Sequence, residues 1–265
     1  MNTAKLDPRK IGISDLFAAI GAGWNLFRLI PMSGVAYASV AALIGSVLLF
    51  GVGKLGISPM SPPLVGGFML IAPAMLSGFF QLSLFTPTGI KPTLATPFLA
   101  FFRTPTQTWV IAVFCAFIFL IWITDAGVVY GFVVGERHLP YQPPWMLRVD
   151  EKIVSFWFWT GLMGSVLAFA VFCVSAFSVP LLFEGRATLV QAVHASVRAV
   201  FKNFFVAVLW GSALTLSISI AVLLMPLLLL VLPVMAYASF ALYRCVFPQL
   251  LPNPAGGASA EIRPI

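Results

Sequence analysis

Asp125 is the only ionisable residue set well inside an apolar run of this chain. A carboxylate at such a depth is costly and ordinarily faces protein or water, so its chemistry would be that of a proton relay or a cation-binding group. The structural alternative is a carboxyl hydrogen-bonded to a neighbour such as Thr124, or one close to the outer interface. A second set is Gln191, His194, Arg198 and Lys202, which share one helix face at i, i+3, i+7 and i+11. That face would bind an acidic partner or lipid head groups, or it would simply be solvated. A third set is Pro73, Pro180 and Pro233, one in each of three apolar runs and each a candidate helix kink. Helices broken in this way can surround a transport site. More often the kink is tolerated because neighbours satisfy the freed carbonyls.

Other chemistry is poorly represented. His138 and Glu136 fall in one loop without a second histidine or a cysteine nearby, so no metal site is expected. Haem and copper sites in a membrane need several histidines, and only His138 and His194 are present. There is no GxxxxGK[ST], HExxH or GxSxG motif and no readable Ser/His/Asp triad. No catalytic residue and no cofactor is expected, and the three cysteines Cys115, Cys173 and Cys245 read as buried apolar residues.

The elements that hold these residues follow from composition. Of 265 residues, 60% are hydrophobic and 9% charged. A soluble domain carries about 25% charged residues. Apolar runs of about 20 residues can cross a bilayer as helices, which satisfy their own backbone hydrogen bonds. The expected fold is all-α: a polytopic membrane protein of about six transmembrane helices. Spans are expected over 32–52, 64–85, 108–134, 153–183, 204–227 and 230–247. The boundary between the last two rests on Pro226 and Pro233 alone. Residues 1–13 are expected to be a cytoplasmic tail, 14–247 a single transmembrane domain, and 248–265 a disordered tail.

One pattern recurs three times: a short amphipathic stretch, then two long apolar runs, the second carrying one of the prolines. The stretches end near Trp24–Arg28, Phe101–Arg103 and Ala199–Asn203 and are expected to lie at the membrane interface. Ser14 is the expected cap of the first and Thr188 of the last. On the last helix Val190, Val193, Val197, Val200 and Phe201 form the expected apolar side. Small pairs such as Gly161 with Ser165 permit close helix packing.

The net charge of +7 comes from singly scattered residues rather than a basic domain, which argues against nucleic acid. With the N-terminus inside, eleven of the fifteen Lys and Arg residues are cytoplasmic, and an even span count puts both termini there. Anionic lipid head groups on that face, and other membrane-protein subunits, are the expected partners. Asp15, Asn25 and Arg28 interrupt the first apolar run, so no cleavable signal peptide is expected.

Three segments carry a resemblance: Leu70–Phe80; Ser175–Pro180 followed by the helix Ala195–Asn203; and Leu232-Pro233 leading to Leu242-Tyr243-Arg244. Together they resemble the bacterial DUF2189 family of integral membrane proteins of unknown function, over roughly residues 15–247. The resemblance implies a helical protein of the bacterial inner membrane and supplies no catalytic residues.

The function expected from these readings is a non-enzymatic accessory, assembly or scaffold component of a membrane complex. The alternative is a small-solute or ion transporter or channel using Asp125 and the proline-broken helices.

Overall fold

The computed structural model describes residues 6–68, 73–85, 92–135 and 150–248. Among them every regular element is helical. The helices are α1 (Ile13–Leu29), α2 (Pro31–Lys54), α3 (Ser61–Phe68), α4 (Pro73–Phe85), α5 (Thr96–Phe102), α6 (Thr106–Val133), α7 (Glu151–Ser175), α8 (Ser178–Phe183), α9 (Leu189–Lys202), α10 (Phe204–Leu223) and α11 (Leu228–Val246).

Five segments are long and apolar enough to cross a membrane: Pro31–Lys54, Thr106–Val133, Glu151–Phe183, Phe204–Val222 and Met225–Val246. Of the expected span over 64–85, the structure describes α3 to Phe68 and α4 from Pro73, and 69–72 lie outside the described residues. The long apolar stretch near the C-terminus resolves into two helices. A 3-10 turn at Met225–Leu227 separates α10 from α11, and Pro226 within it has no N–H to continue the α10 ladder.

The fourth apolar run also breaks. Pro180 cannot bond the carbonyl of Ala176 and crowds it, so α7 ends at Ser175 and α8 restarts at Ser178. Ser196 of α9 bridges the gap: its Oγ accepts from the Phe177 N–H at 3.2 Å and donates to the Cys173 carbonyl at 2.7 Å.

Helix α1 packs antiparallel along α11 rather than standing apart on a surface. The Arg9 N–H donates to the Val246 carbonyl at 2.9 Å. Farther along, a Cβ on Gly23 would lie 2.5 Å from the Val234 carbonyl oxygen and 2.8 Å from the Ala238 nitrogen, so only glycine permits this approach. The helix is capped at Gly12, not Ser14, because the Asp15 carboxylate reaches back to the Gly12 N–H at 2.7 Å. Thr188 does precede α9, and the Gln191 side chain accepts from its N–H at 3.1 Å.

The inward face of α9 differs from expectation. Ala192, Ala195, Ser196, Ala199 and Val200 are buried, whereas Val190 and Phe201 are 78% and 60% exposed. Small side chains let α9 lie close against α7 and α8, which the larger residues would prevent. The largest core cluster joins these residues to Phe80 of α4 and to Phe240, Tyr243 and Val246 of α11.

Candidate functional site

The densest cluster of charge sits at the Val246 end of the helices. Gly185 adopts φ +64° and closes α8, with its N–H bonded to Leu182 and that of Arg186 to Leu181. This turn aims Glu184 and Arg186 at the last turns of α11. Glu184 accepts from Arg244 on one oxygen and from the Tyr243 hydroxyl, at 2.6 Å, on the other. Arg186 Nη1 donates to the Tyr243 oxygen at 2.9 Å and to the Phe247 carbonyl at 2.8 Å, and Nη2 donates to the Pro248 carbonyl at 3.1 Å. The Glu184 side chain is 5% exposed and that of Arg244 15%. Arg186 lies over the Tyr243 ring and Arg244 over that of Phe240, at 5.8 and 5.1 Å. The carboxylate, both guanidinium groups and the phenol are bonded to one another. The arrangement clamps the α8–α9 turn to α11.

The N-terminal segment does not trail away from Leu6 onward. Asn203 accepts from the Ile11 N–H at 2.9 Å and donates to the Arg9 carbonyl at 3.1 Å. Asp7 pairs with Arg198 at 2.9 Å and with Lys202 at 3.6 Å. Arg198 and Lys202 therefore share one carboxylate. Gln191 caps its own helix, and His194 is exposed.

A half-open crevice of about 780 Å³ lies between α7 and α10, with α4 and α11 as its floor. Its walls carry small residues: Gly161 and Ser165 on α7, Gly211 and Thr215 on α10. Among the described residues none that lines it is ionisable. Three of its hydroxyls bond their own helices, Thr160 to the Phe156, Ser165 to the Leu162 and Thr215 to the Gly211 carbonyl, at 2.7, 2.7 and 2.9 Å, while Trp210, Ser212 and Ser219 also line it.

The structure separates the three sets of residues singled out from sequence. Asp125 is half-buried on α6, about 8 Å from the helix midpoint, and is not part of the crevice wall. The Thr124 hydroxyl donates to the Leu120 carbonyl at 2.8 Å rather than to Asp125. Pro73 begins α4 and lines the crevice. Pro180 follows the bridged break, and only Pro233 lies inside a long continuous helix, against Gly34 of α2. Cys115 and Cys173 are buried, and all three cysteines are free. Among the described residues no three His, Cys, Asp or Glu side chains gather where they could hold a metal. Glu136 and His138 lie outside the described residues.

Sequence reasoning missed Glu184, Arg186, Tyr243 and Arg244 as a unit. The available signal was the Glu-Gly-Arg turn together with Tyr243-Arg244 at the end of an apolar run, two polar ends that the fold brings together.

Comparison with known proteins now adds to the geometry. Residues 60–184 match the DUF2189 family model, described as a predicted integral membrane protein. The match runs from the turn before α3 to Glu184, which is its final residue. It includes Leu70–Phe80 and Ser175–Pro180. It is narrower than the resemblance over 15–247, since α9 and the Leu232–Arg244 segment fall outside it. The DUF2189 stretch therefore holds the broken helix and the carboxylate of the clamp, while the cations that embrace that carboxylate come after it. No curated protein and no solved structure matches the chain.

Proposed function

We propose that this protein is a non-enzymatic integral membrane component that acts as an accessory, assembly or scaffold subunit of a larger membrane complex. One observation carries the reading. The fixed ion pairs among the described residues hold the chain to itself, at Glu184 and at Asp7, while the described residues that line the crevice between α7 and α10 include no ionisable one. A polar substrate would find no charge on the described part of that wall and few open hydrogen-bonding groups. The reading predicts that the purified protein alone, reconstituted in liposomes, moves no solute above protein-free vesicles. Flux of any tested ion or small solute would contradict it.

Six crossings with both termini cytoplasmic in a bacterial inner membrane fit this reading. The Arg9 N–H donates to the Val246 carbonyl at 2.9 Å, which supports a reading with both ends of the helical region on one side and an even number of crossings. In this reading α3 and α4 together would make the sixth. The basic residues of α9 then face anionic head groups of that leaflet.

The three-unit organisation has local support. Pro73, Met75, Gly78, Phe80 and Leu82 stand at the same spacing as Pro233, Met235, Ala238, Phe240 and Leu242. Gly78 lets α4 approach Pro97 of α5, as Ala238 lies against Gly23 of α1. Phe80 and Phe240, the matched aromatics, stack on each other at 5.0 Å. The middle unit departs from this pattern, because its chain turns outward at Glu184 soon after Pro180.

Transport is the second reading, and Asp125 is the observation that favours it. It is half-buried at hydrocarbon depth with no bonding partner among the described residues. Proton or cation flux lost in Asp125→Asn would move the weight to that reading.

A further inference from the structure

We propose that the crevice between α7 and α10 is a lipid site. It takes the hydrocarbon chains of an anionic phospholipid, whose head group lies at the α9 end beside Arg198 and Lys202.

The occupant follows from what the walls offer. At about 780 Å³ the crevice matches the volume of sites that enclose whole ligands. Close-packed interiors do not leave such a space empty. Water needs two to four polar partners, and here Thr160, Ser165 and Thr215 already donate to their own helices. The indole N–H groups of Trp122 and Trp157 are likewise taken by the Thr160 and Pro59 carbonyls. A ligand that fits these walls is largely apolar, since the Trp210 indole and the Ser212 and Ser219 hydroxyls are the few polar groups left open on them among the described residues. The lining of α10 extends from Ala207 to Val222, about 22 Å of helix, against a hydrocarbon core of about 30 Å. Hydrocarbon from the surrounding bilayer meets each of these conditions.

Charge selects the head group. Phe169 lines the crevice, and its ring packs on Phe201 and Phe204 at 6.4 and 5.8 Å. Those rings flank Lys202. Among the described residues Arg198 and Lys202 have Asp7 between them as their carboxylate, which leaves this trio with one positive charge in excess. A phosphate there completes the pairing, as basic residues attract anionic lipid at a membrane surface.

The test is lipid mass spectrometry of the full-length protein purified from its own membranes in mild detergent. Wild type is compared with Gly161→Leu and Thr215→Leu, which fill the crevice from opposite walls. Gly127→Leu on α6 is the control, since Gly127, like Gly161, has nothing within 4 Å of an added Cβ. Wild type and control are expected to retain several-fold more phospholipid per chain than the two filled variants, all eluting as folded, monodisperse protein. Two wall variants keep the test alive if one fails to fold. The double variant Arg198→Gln with Lys202→Gln is expected to exchange anionic for zwitterionic lipid. Equal lipid in all variants would overturn the site, and an unchanged lipid class in the double variant would overturn the head-group assignment. A co-purifying protein lost in the filled variants, with no lipid in the wild type, would assign the crevice to a partner's helix and likewise overturn it.

Discussion

Glu184 and Arg244, which terminate different helices, form an ion pair almost sealed from solvent, with Tyr243 on the second carboxylate oxygen. The chain between them forms α9, α10 and α11. This pair therefore closes the last helical unit onto the end of α8. Tyr243 and Arg244 sit within a helical turn of Phe247, whose carbonyl accepts from Arg186, so the cluster also fixes where α11 ends.

Glu184→Gln should be among the most damaging single substitutions on this face. It leaves Arg244 without its counter-charge in a site too buried for water to replace it. Breaking a buried pair in this way costs about 3–5 kcal/mol. Arg198→Gln, at a half-exposed pair with Asp7, should cost less than about 1 kcal/mol. Thermal unfolding in mild detergent ranks the two, and equal effects would contradict the clamp.

Ser196→Ala should destabilise by about 1–3 kcal/mol, because it orphans the Phe177 N–H and the Cys173 carbonyl inside the α7–α8 break. The same unfolding measurement applies, and a loss under about 0.5 kcal/mol, the usual range for surface changes, would show that the break does not depend on α9.

Gly23→Ala and Gly21→Ala should differ in sign. At Gly23 the new methyl meets backbone of α11 at 2.5 Å and must push the helices apart, a cost of about 1–3 kcal/mol. At Gly21 nothing lies within 4 Å, so alanine should stabilise α1 by about 0.5–1 kcal/mol. Both are read from unfolding midpoints.

Asp125→Asn should leave stability within about 0.5 kcal/mol of wild type, since no hydrogen bond or ion pair among the described residues depends on it. It should also leave the composition of any native complex unchanged. Loss of the complex in this variant would give Asp125 a role in assembly that the geometry does not supply.

What was legible in the sequence is what a single helix reveals. The polar face Gln191, His194, Arg198 and Lys202 is exposed as its spacing indicates, and the apolar runs match five helices within a few residues except where a proline divides them. What was not legible depends on partners distant in the chain. Glu184 reads as turn punctuation until α11 brings Arg244 to it. Gly23 reads as an ordinary helix glycine until Val234 and Ala238 lie against it. Pro180 reads as a kink because the compensating hydroxyl, Ser196, belongs to another helix. The segment from Leu6 to Gly12 reads as a tail because its anchors are a side chain of Asn203 and a carbonyl of Val246. The crevice has no signature at all, since small residues such as Gly161 and Thr215 are common in membrane helices whether or not they face a space.

The most direct test of the accessory reading is isolation of the tagged protein from its own membranes in mild detergent, with mass spectrometry of what accompanies it and its stoichiometry. The account predicts a larger complex in which other membrane proteins are present in fixed ratio to this chain. A lone monomer or homo-oligomer, with no stoichiometric companion under conditions that preserve known membrane complexes, would contradict it.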